Sequence, residues 1–163
     1  MAETMVTCVD VEGQEYEVPT SELVWRPSAY GIVIKDQALL LSAQFGGYDL
    51  PGGGVDLGEP LETTVVREVK EETGIDVANP KFLGFERSFF KLPGEREHPF
   101  ADCLMYYYEC DFVGGEISAQ GFDTHERDYA DLAEWVPLKD LDEVKLISTI
   151  DCRQYIRMAR GSS

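Results

Sequence analysis

The chain has 163 residues, 31 of them acidic and 14 basic, for a net charge of −17 at neutral pH. That length fits a single domain whose core is large enough to need no disulfides. The charge repels other polyanions, which argues against long nucleic acid or an anionic membrane surface as partner, but not against a small nucleotide arriving with its own metal ions.

No repeat or low-complexity segment interrupts the chain. The N-terminus lacks the basic flank and apolar run of a secretory leader, and no apolar stretch is long enough to span a membrane. Residues 5–18 alternate about Glu12-Gly13, with Val6, Cys8, Val11, Tyr16 and Val18 as the apolar set, which is a hairpin pattern. Residues 19–27 read as a linker ending Trp25-Arg26-Pro27. Residues 1–27 are therefore expected to be a hairpin and linker whose edge could add a strand from a second copy, giving a homodimer; residues 28–163 form the main domain. Apolar runs at 30–34 and 38–42, joined at Lys35-Asp36-Gln37, predict two paired strands.

Leu50-Pro51-Gly52-Gly53-Gly54 is a turn at which the backbone can approach a ligand closely, because no Cβ intervenes. Pro60 then suits a first helical position, Glu62 meets the positive end of the helix dipole, and Gly74 suits a left-handed stop. These signals predict a helix over about 60–73. Leu61, Val65, Val66 and Val69 fall on one apolar arc. Glu68 and Glu72 lie about 40° apart at one edge of that arc, with Glu71 about 60° to the other side of Glu68. Most glutamate-rich helix faces are merely solvated. Here, like charges at i,i+3 and i,i+4 repel at the rim of the core, which costs stability unless a cation sits there. Oxygen ligands of this kind suit Mg²⁺ or Mn²⁺ shared with substrate phosphates. Arg67, one turn before Glu71, can neutralise or orient one of the carboxylates.

Residues 81–91 and 100–112 read as further strands around the polar loop 93–99, and Gly114-Gly115 as a turn. Residues 134–138 form a last strand, followed by a helical turn at 139–142 and an amphipathic closing helix over 147–159 that Gly161-Ser162-Ser163 stops. Strands flanked by a helix on each side indicate an α/β/α sandwich with a mixed sheet. Four scattered cysteines with no C-x-x-C spacing suit free, buried thiols in a reducing cytoplasm. Cys103 and Cys110 should face opposite sides of their strand.

Residues 53–75 match the pattern G-x5-E-x7-R-E-U-x-E-E-x-G-U, with U a bulky aliphatic residue, at every specified position. This run resembles the signature of the Nudix hydrolases, and similarity in pattern extends over roughly residues 28–140. The resemblance implies an α/β/α sandwich that uses Mg²⁺ or Mn²⁺ to cleave a diphosphate linked to a nucleoside. It implies Glu68 and Glu72 as principal metal ligands, Glu71 as a third ligand or the base, and the Gly52 carbonyl as a further ligand. Arg67 would orient Glu68, and Glu59 would brace Arg67 or hold a metal-bound water. It also implies an extra carboxylate from a downstream loop. The candidates are Glu95, Glu97, Asp123, Glu126 and Asp128, with Glu126 favoured by its offset to Trp135.

Substrate contacts are expected from Arg26 and Arg87 to phosphate or base edges, from Phe45 and Tyr48 by stacking, and from the Gly53 backbone. One of Phe89 and Phe90 should turn inward to the core. His98 and His125 have surface positions as their simplest reading. A (deoxy)nucleoside triphosphate or modified nucleotide, giving a monophosphate and pyrophosphate, is the expected substrate. ADP-sugars and dinucleoside polyphosphates are the alternatives. The proline and the tyrosine that mark many members of those two groups are absent from their usual place, where Phe89-Phe90-Lys91 stands. A sensor that binds nucleotide without cleaving it remains a further alternative, although such proteins usually lose box glutamates and this box is complete.

Overall fold

The computed structural model describes residues 2–161. The N-terminal alternation forms the expected hairpin, with β1 (Met5–Val9) antiparallel to β2 (Glu15–Pro19). Asp10 fixes its turn by accepting the amides of Glu12 and Gln14 at 2.9 Å each. The expected linker is shorter than 19–27. A 3-10 turn at Thr20–Glu22 leads directly into β3 (Val24–Lys35), because Trp25, Arg26 and Pro27 pair in parallel with Asp102, Cys103 and Leu104. Asp36-Gln37 turns β3 into β4 (Ala38–Gln44), and Phe45-Gly46 turns β4 into β5 (Gly47–Asp49). β6 (Gly52–Gly54) runs against Ser28, Ala29 and Tyr30 of β3. α1 (Leu61–Thr73) ends at Gly74, whose φ of 82° gives the left-handed stop. Pro60 stands one position before the first helical residue, still extended.

β7 (Ile75–Lys91) and β8 (Phe100–Gly115) form the longest pair. Gly114 and Gly115 do not turn the chain. They stay in register with Asp76 and Ile75, so both strands outrun the apolar pattern. α2 (Glu126–Tyr129) is a single turn ahead of β9 (Ala130–Pro137), and a 3-10 turn follows at Leu138–Asp140. The closing helix starts later than expected, as α3 (Arg153–Gly161). The preceding segment takes another conformation: the Ile147 amide donates to the Tyr48 carbonyl and the Tyr48 amide to the Lys145 carbonyl, both at 2.9 Å, and the Ile150 amide then donates to Ser148 Oγ at 3.3 Å, a local turn in place of a helical one. Asp151 Oδ1 then accepts the Arg153 amide at 3.1 Å, opening the helix there. Of the expected stop, Gly161 is still helical, and Ser162 and Ser163 lie outside the described residues.

The strands form one mixed, curled sheet in the order β2-β1-β7-β8-β3-β4-β5, with β6 added on β3 and β9 on β4. Alternation along β3 divides the core between the two faces. Ala29 and Val33 pack with Val65 and Val69 of α1 and with Cys110, while Ile32 packs with Leu39, Leu41, Tyr107 and, from α3, Tyr155 and Ile156. The architecture is therefore an α/β/α sandwich. Each fully buried aliphatic side chain contributes on the order of 1.5–3 kcal/mol. Cys103 and Cys110 belong to opposite cores, as their odd spacing requires, and all four cysteines are free and buried. Among the described residues, no helix is long and apolar enough to cross a membrane.

Candidate active site

β6 and α1 meet along the glycine-rich turn, and their contact shapes the first half of the site. Glu68, only 9% exposed, lies directly under Gly53. A Cβ at Gly53 would come 2.7 Å from the Glu68 carboxyl carbon, so glycine alone lets the strand close on that carboxylate. One turn on, Glu72 Oε2 accepts the Ser42 hydroxyl at 2.7 Å and the Gly52 amide at 3.2 Å. Burial pushes Glu68 up to about 7 and Glu72 well above the carboxylate range. These groups are held where water cannot stabilise their charge.

Arg67 lines the cleft, but its donors are committed to neighbouring groups. Its Nε and Nη2 donate to the two Glu59 oxygens at 2.8 and 2.9 Å, and its Nη1 donates to Glu68 at 2.9 Å and Glu71 at 3.1 Å. Nη2 also reaches the Gly54 carbonyl at 3.2 Å. The bidentate hydrogen bond from Arg67 pulls Glu59 down to about 2. Arg67 thus ties the turn after β6 to the glutamate face of α1, and Thr64 Oγ1 adds a 2.7 Å hydrogen bond to Glu59.

The opposite wall comes from the segment before β9. Asp123 Oδ1 accepts the amides of His125 and Glu126 at 2.8 Å each, and Glu126 Oε2 accepts the Asp123 amide at 2.8 Å. This reciprocal pair aims Glu126 across the cleft, where one oxygen each of Glu68, Glu72 and Glu126 lie within 4.8 Å of one another. Burial raises Glu126 above its usual range as well. Glu71 stays at the rim with 43% of its side chain exposed. Of the other downstream candidates, Glu95 and Glu97 are exposed and outside the cleft, and Asp128 does not line it, whereas Asp123 does. The loop 93–99 supplies Arg96 to the cleft instead of a carboxylate. His125 lines the cleft, while His98 is exposed beside Glu97.

The cleft has a volume of about 390 Å³, and besides the three glutamates it is lined by Arg26, Tyr30, Asp49, Phe90 and Cys103. Phe90 is the inward member of the Phe89-Phe90 pair, packed against the core. Arg26 Nη1 donates to Ser28 Oγ at 3.0 Å. Asp49 takes the Leu50 amide at 2.8 Å, and burial pushes it up to about 7. Phe45 lines the cleft, stacked on Tyr129 with ring centroids 4.3 Å apart and planes 11° from parallel.

Two expected substrate contacts lie elsewhere. Tyr48 packs against the core of the α3 face and hydrogen-bonds Glu134, because its backbone is pinned between Lys145 and Ile147. Arg87 lies outside the cleft, in a bidentate pair with Asp102 at 2.8 and 2.6 Å, and its guanidinium sits over Phe89. Sequence reasoning passed over Asp49, Arg96 and Tyr129. Asp49 had a signal, a carboxylate between Tyr48 and Leu50 just before the glycine turn. Arg96 and Tyr129 had none, since only tertiary folding brings their loops to the cleft.

The donor set fits a hard divalent cation. All three converging groups offer carboxylate oxygens, and a Mg²⁺ octahedron spans about 4.2 Å between opposite oxygens. At least two of the three pairs would be neighbours in that octahedron, about 3.0 Å apart, so the carboxylates, now within 4.8 Å of one another, would close in around the ion. Without a cation, three buried or half-buried carboxylates face one another, and Arg67 touches only Glu68 among them.

Residues 25–154 match the family model of the NUDIX domain. The ADP-ribose pyrophosphatase of Methanocaldococcus jannaschii is 35% identical over 136 residues, which is 80% of this chain and 73% of that protein. An NAD-capped RNA hydrolase, NudC of Vibrio atlanticus, is 32% identical over 132 residues; they span 77% of this chain but only 42% of that protein. Among solved structures, the NUDIX domain of Shewanella oneidensis NrtR, complexed with ADP ribose, superposes with a TM-score of 0.60. That superposition covers 86% of this chain and 88% of that one at 21% identity, a likeness of fold.

Proposed function

The chain belongs to the NUDIX domain family and is a Nudix pyrophosphohydrolase; from that premise we propose that it cleaves the diphosphate of a nucleoside diphosphate joined to a second moiety, with Mg²⁺ or Mn²⁺ held by Glu68, Glu72 and Glu126. The observation that carries this reading is the convergence of those three carboxylates from two walls of one cleft. A diphosphate cannot approach so many negative charges unless cations neutralise both, and a Nudix substrate brings that requirement with it. Bound there, the cation would polarise a phosphoryl oxygen, lower the pKa of the attacking water and offset charge on the leaving phosphate. Glu71 is positioned at the rim to accept a proton from that water, with Arg67 limiting its motion. The Gly52 carbonyl would add a further oxygen ligand, and Gly53 would let the backbone approach the phosphates. Arg26 and Asp49, which line the same cleft, would take the nucleoside end, one by charge and the other by accepting hydrogen bonds from donors on the base or sugar.

The first substrate to test is ADP-ribose, on the strength of the archaeal relative that this chain matches over most of its length. A (deoxy)nucleoside triphosphate or modified nucleotide is the second reading, which the glutamate triad would serve equally well. Products separate the two: AMP and ribose 5-phosphate in one case, a monophosphate and pyrophosphate in the other. Long RNA is disfavoured by the −17 charge. The outer edge of β2 is the end of the sheet and supports the reading of residues 1–27 as a dimerisation element. The experiment is a nucleotide panel with Mg²⁺, with Mn²⁺ and with EDTA, read by product chromatography. Cleavage of one class, dependent on metal, is expected. No cleavage of any diphosphate, or full turnover after exhaustive metal removal, would overturn the proposal.

A further inference from the structure

The turn between β4 and β5 places a bulky residue where the backbone favours a small one. Phe45 has φ of 49° and Gly46 φ of 70°, closing the Gln44–Gly47 pair as a two-residue hairpin. Asn or Asp is the usual first residue of such a turn, because a bulky side chain rarely adopts the left-handed region. Phe45 is held there by two contacts to one partner. Its ring stacks on Tyr129, and its amide donates to the Tyr129 carbonyl at 3.2 Å. Tyr129 is the last residue of the single turn that begins with Glu126.

That turn has little else to fix it from this side. Its upstream end is tied to α1, through the Ser118 amide on the Thr73 carbonyl at 3.0 Å and through Gly121, where a Cβ would meet the Glu71 carbonyl at 2.4 Å. Its downstream end enters β9 beside β4, where Ala130 pairs with Gln44. The stack is a side-chain tie between Glu126's own turn and the β4–β5 hairpin.

We propose that the Phe45–Tyr129 stack is a latch that sets the position of Glu126 against Glu68 and Glu72, making Phe45 a positioning residue for the third carboxylate rather than a platform for the base. This inference rests on the reading that the triad holds a divalent cation. The strained backbone at Phe45 is explained by it: the turn keeps an unfavourable residue because the ring holds the segment that carries the ligand.

The test uses the full chain and Mn²⁺ alone as probe, followed by electron paramagnetic resonance or calorimetry without nucleotide. Phe45→Asn suits the left-handed turn, so its melting temperature in chelator should hold or rise. Its Mn²⁺ affinity should fall about tenfold, the range for groups that orient metal ligands, and kcat should fall with KM little changed. Phe45→Tyr keeps the stack and should restore Mn²⁺ affinity. Tyr129→Leu should lose as much affinity as Phe45→Asn, and the double variant no more than either. Glu126→Gln is the control. If it leaves Mn²⁺ affinity unchanged, the triad reading fails, and the latch with it. If Glu126→Gln weakens Mn²⁺ but Phe45→Asn raises only KM, the latch is wrong and Phe45 is a substrate contact.

Discussion

Glu68 and Glu72 stand on consecutive turns of one 13-residue helix and are closed over by the adjacent strand, whereas Glu126 stands on a four-residue turn whose ties reach α1 and the β4–β5 hairpin. The first wall is set by covalent spacing. A helix fixes the angle between Glu68 and Glu72 wherever it lies, and Gly52, Gly53 and Arg67 act within the same 22-residue stretch, 52–73. The second wall depends on packing between segments distant in sequence, and its geometry can shift without the core coming apart. Chemistry that needs both walls should therefore fail sharply when the first is altered and by degrees when the second is.

The largest effect is expected at the first wall. Glu72→Gln and Glu68→Gln should each lower kcat by about 10³-fold or more, with charge developing where a ligand has been lost. The melting temperature in chelator should hold or rise, because the substitution removes a buried carboxylate facing other carboxylates. Steady-state kinetics under saturating Mg²⁺, together with thermal denaturation in EDTA, would decide it. Near-normal turnover removes that residue from the ligand set, and a large drop in melting temperature makes its role structural.

The same contrast explains what could be read from the chain. The helix with its Gly74 stop, the glutamate face and the glycine turn are local, so periodicity and turn chemistry were enough to place Glu68, Glu71 and Glu72 together. The N-terminal hairpin and the opposite facing of Cys103 and Cys110 follow from alternation alone. Glu126 was reached by the resemblance and a rough offset to Trp135, and its approach to the triad depends on Asp123, Tyr129 and Phe45 acting across loops. The expected contacts that fall outside the cleft have the same cause. Tyr48 and Arg87 have side chains suited to a nucleotide, but a backbone pairing with Lys145 and Ile147 and an ion pair with Asp102 commit them elsewhere. The late start of α3 reflects the bridge to Tyr48 and the local turn at Ser148, which helical periodicity cannot register.

An intermediate effect is expected at the second wall. Glu126→Gln should lower kcat by about 10–100-fold and leave substrate KM within a few-fold. Gln can still accept the Asp123 amide, so the turn should keep its shape while losing charge. Glu95→Gln and Glu97→Gln, outside the cleft, should be close to wild type. Rate measurements at several Mg²⁺ concentrations test the comparison directly. A Glu126 variant as crippled as Glu72→Gln would make the two walls equal partners, and a crippled Glu97 variant would transfer the role to the loop 93–99.

The smallest effect concerns stability and separates Asp49 from the triad. Burial pushes Asp49 and Glu68 up to about 7, above the value of about 4 that each has in an unfolded chain. A carboxyl group whose folded pKa is raised favours the fold while protonated. That stabilisation is fully present below about pH 4 and is lost as pH rises through about 7. Glu59 works the other way: held down at about 2, it contributes above about pH 4 and loses that contribution only as pH falls towards 2. Between pH 5 and 8 the raised carboxyls lose their stabilising contribution while that of Glu59 stays constant, so the melting temperature in chelator should fall across that window. Under the proposed function Mg²⁺ or Mn²⁺ would bind the ionised triad, so the gap between loaded and chelated protein should widen with pH. Asp49→Asn should flatten part of the decline in chelator and leave the metal-dependent gap intact, since Asp49 is not among the converging ligands. Scanning fluorimetry across the window distinguishes the outcomes. A flat or rising melting temperature in chelator would mean that the buried carboxylates are compensated by neighbours. A metal-dependent gap abolished by Asp49→Asn would add Asp49 to the cation site.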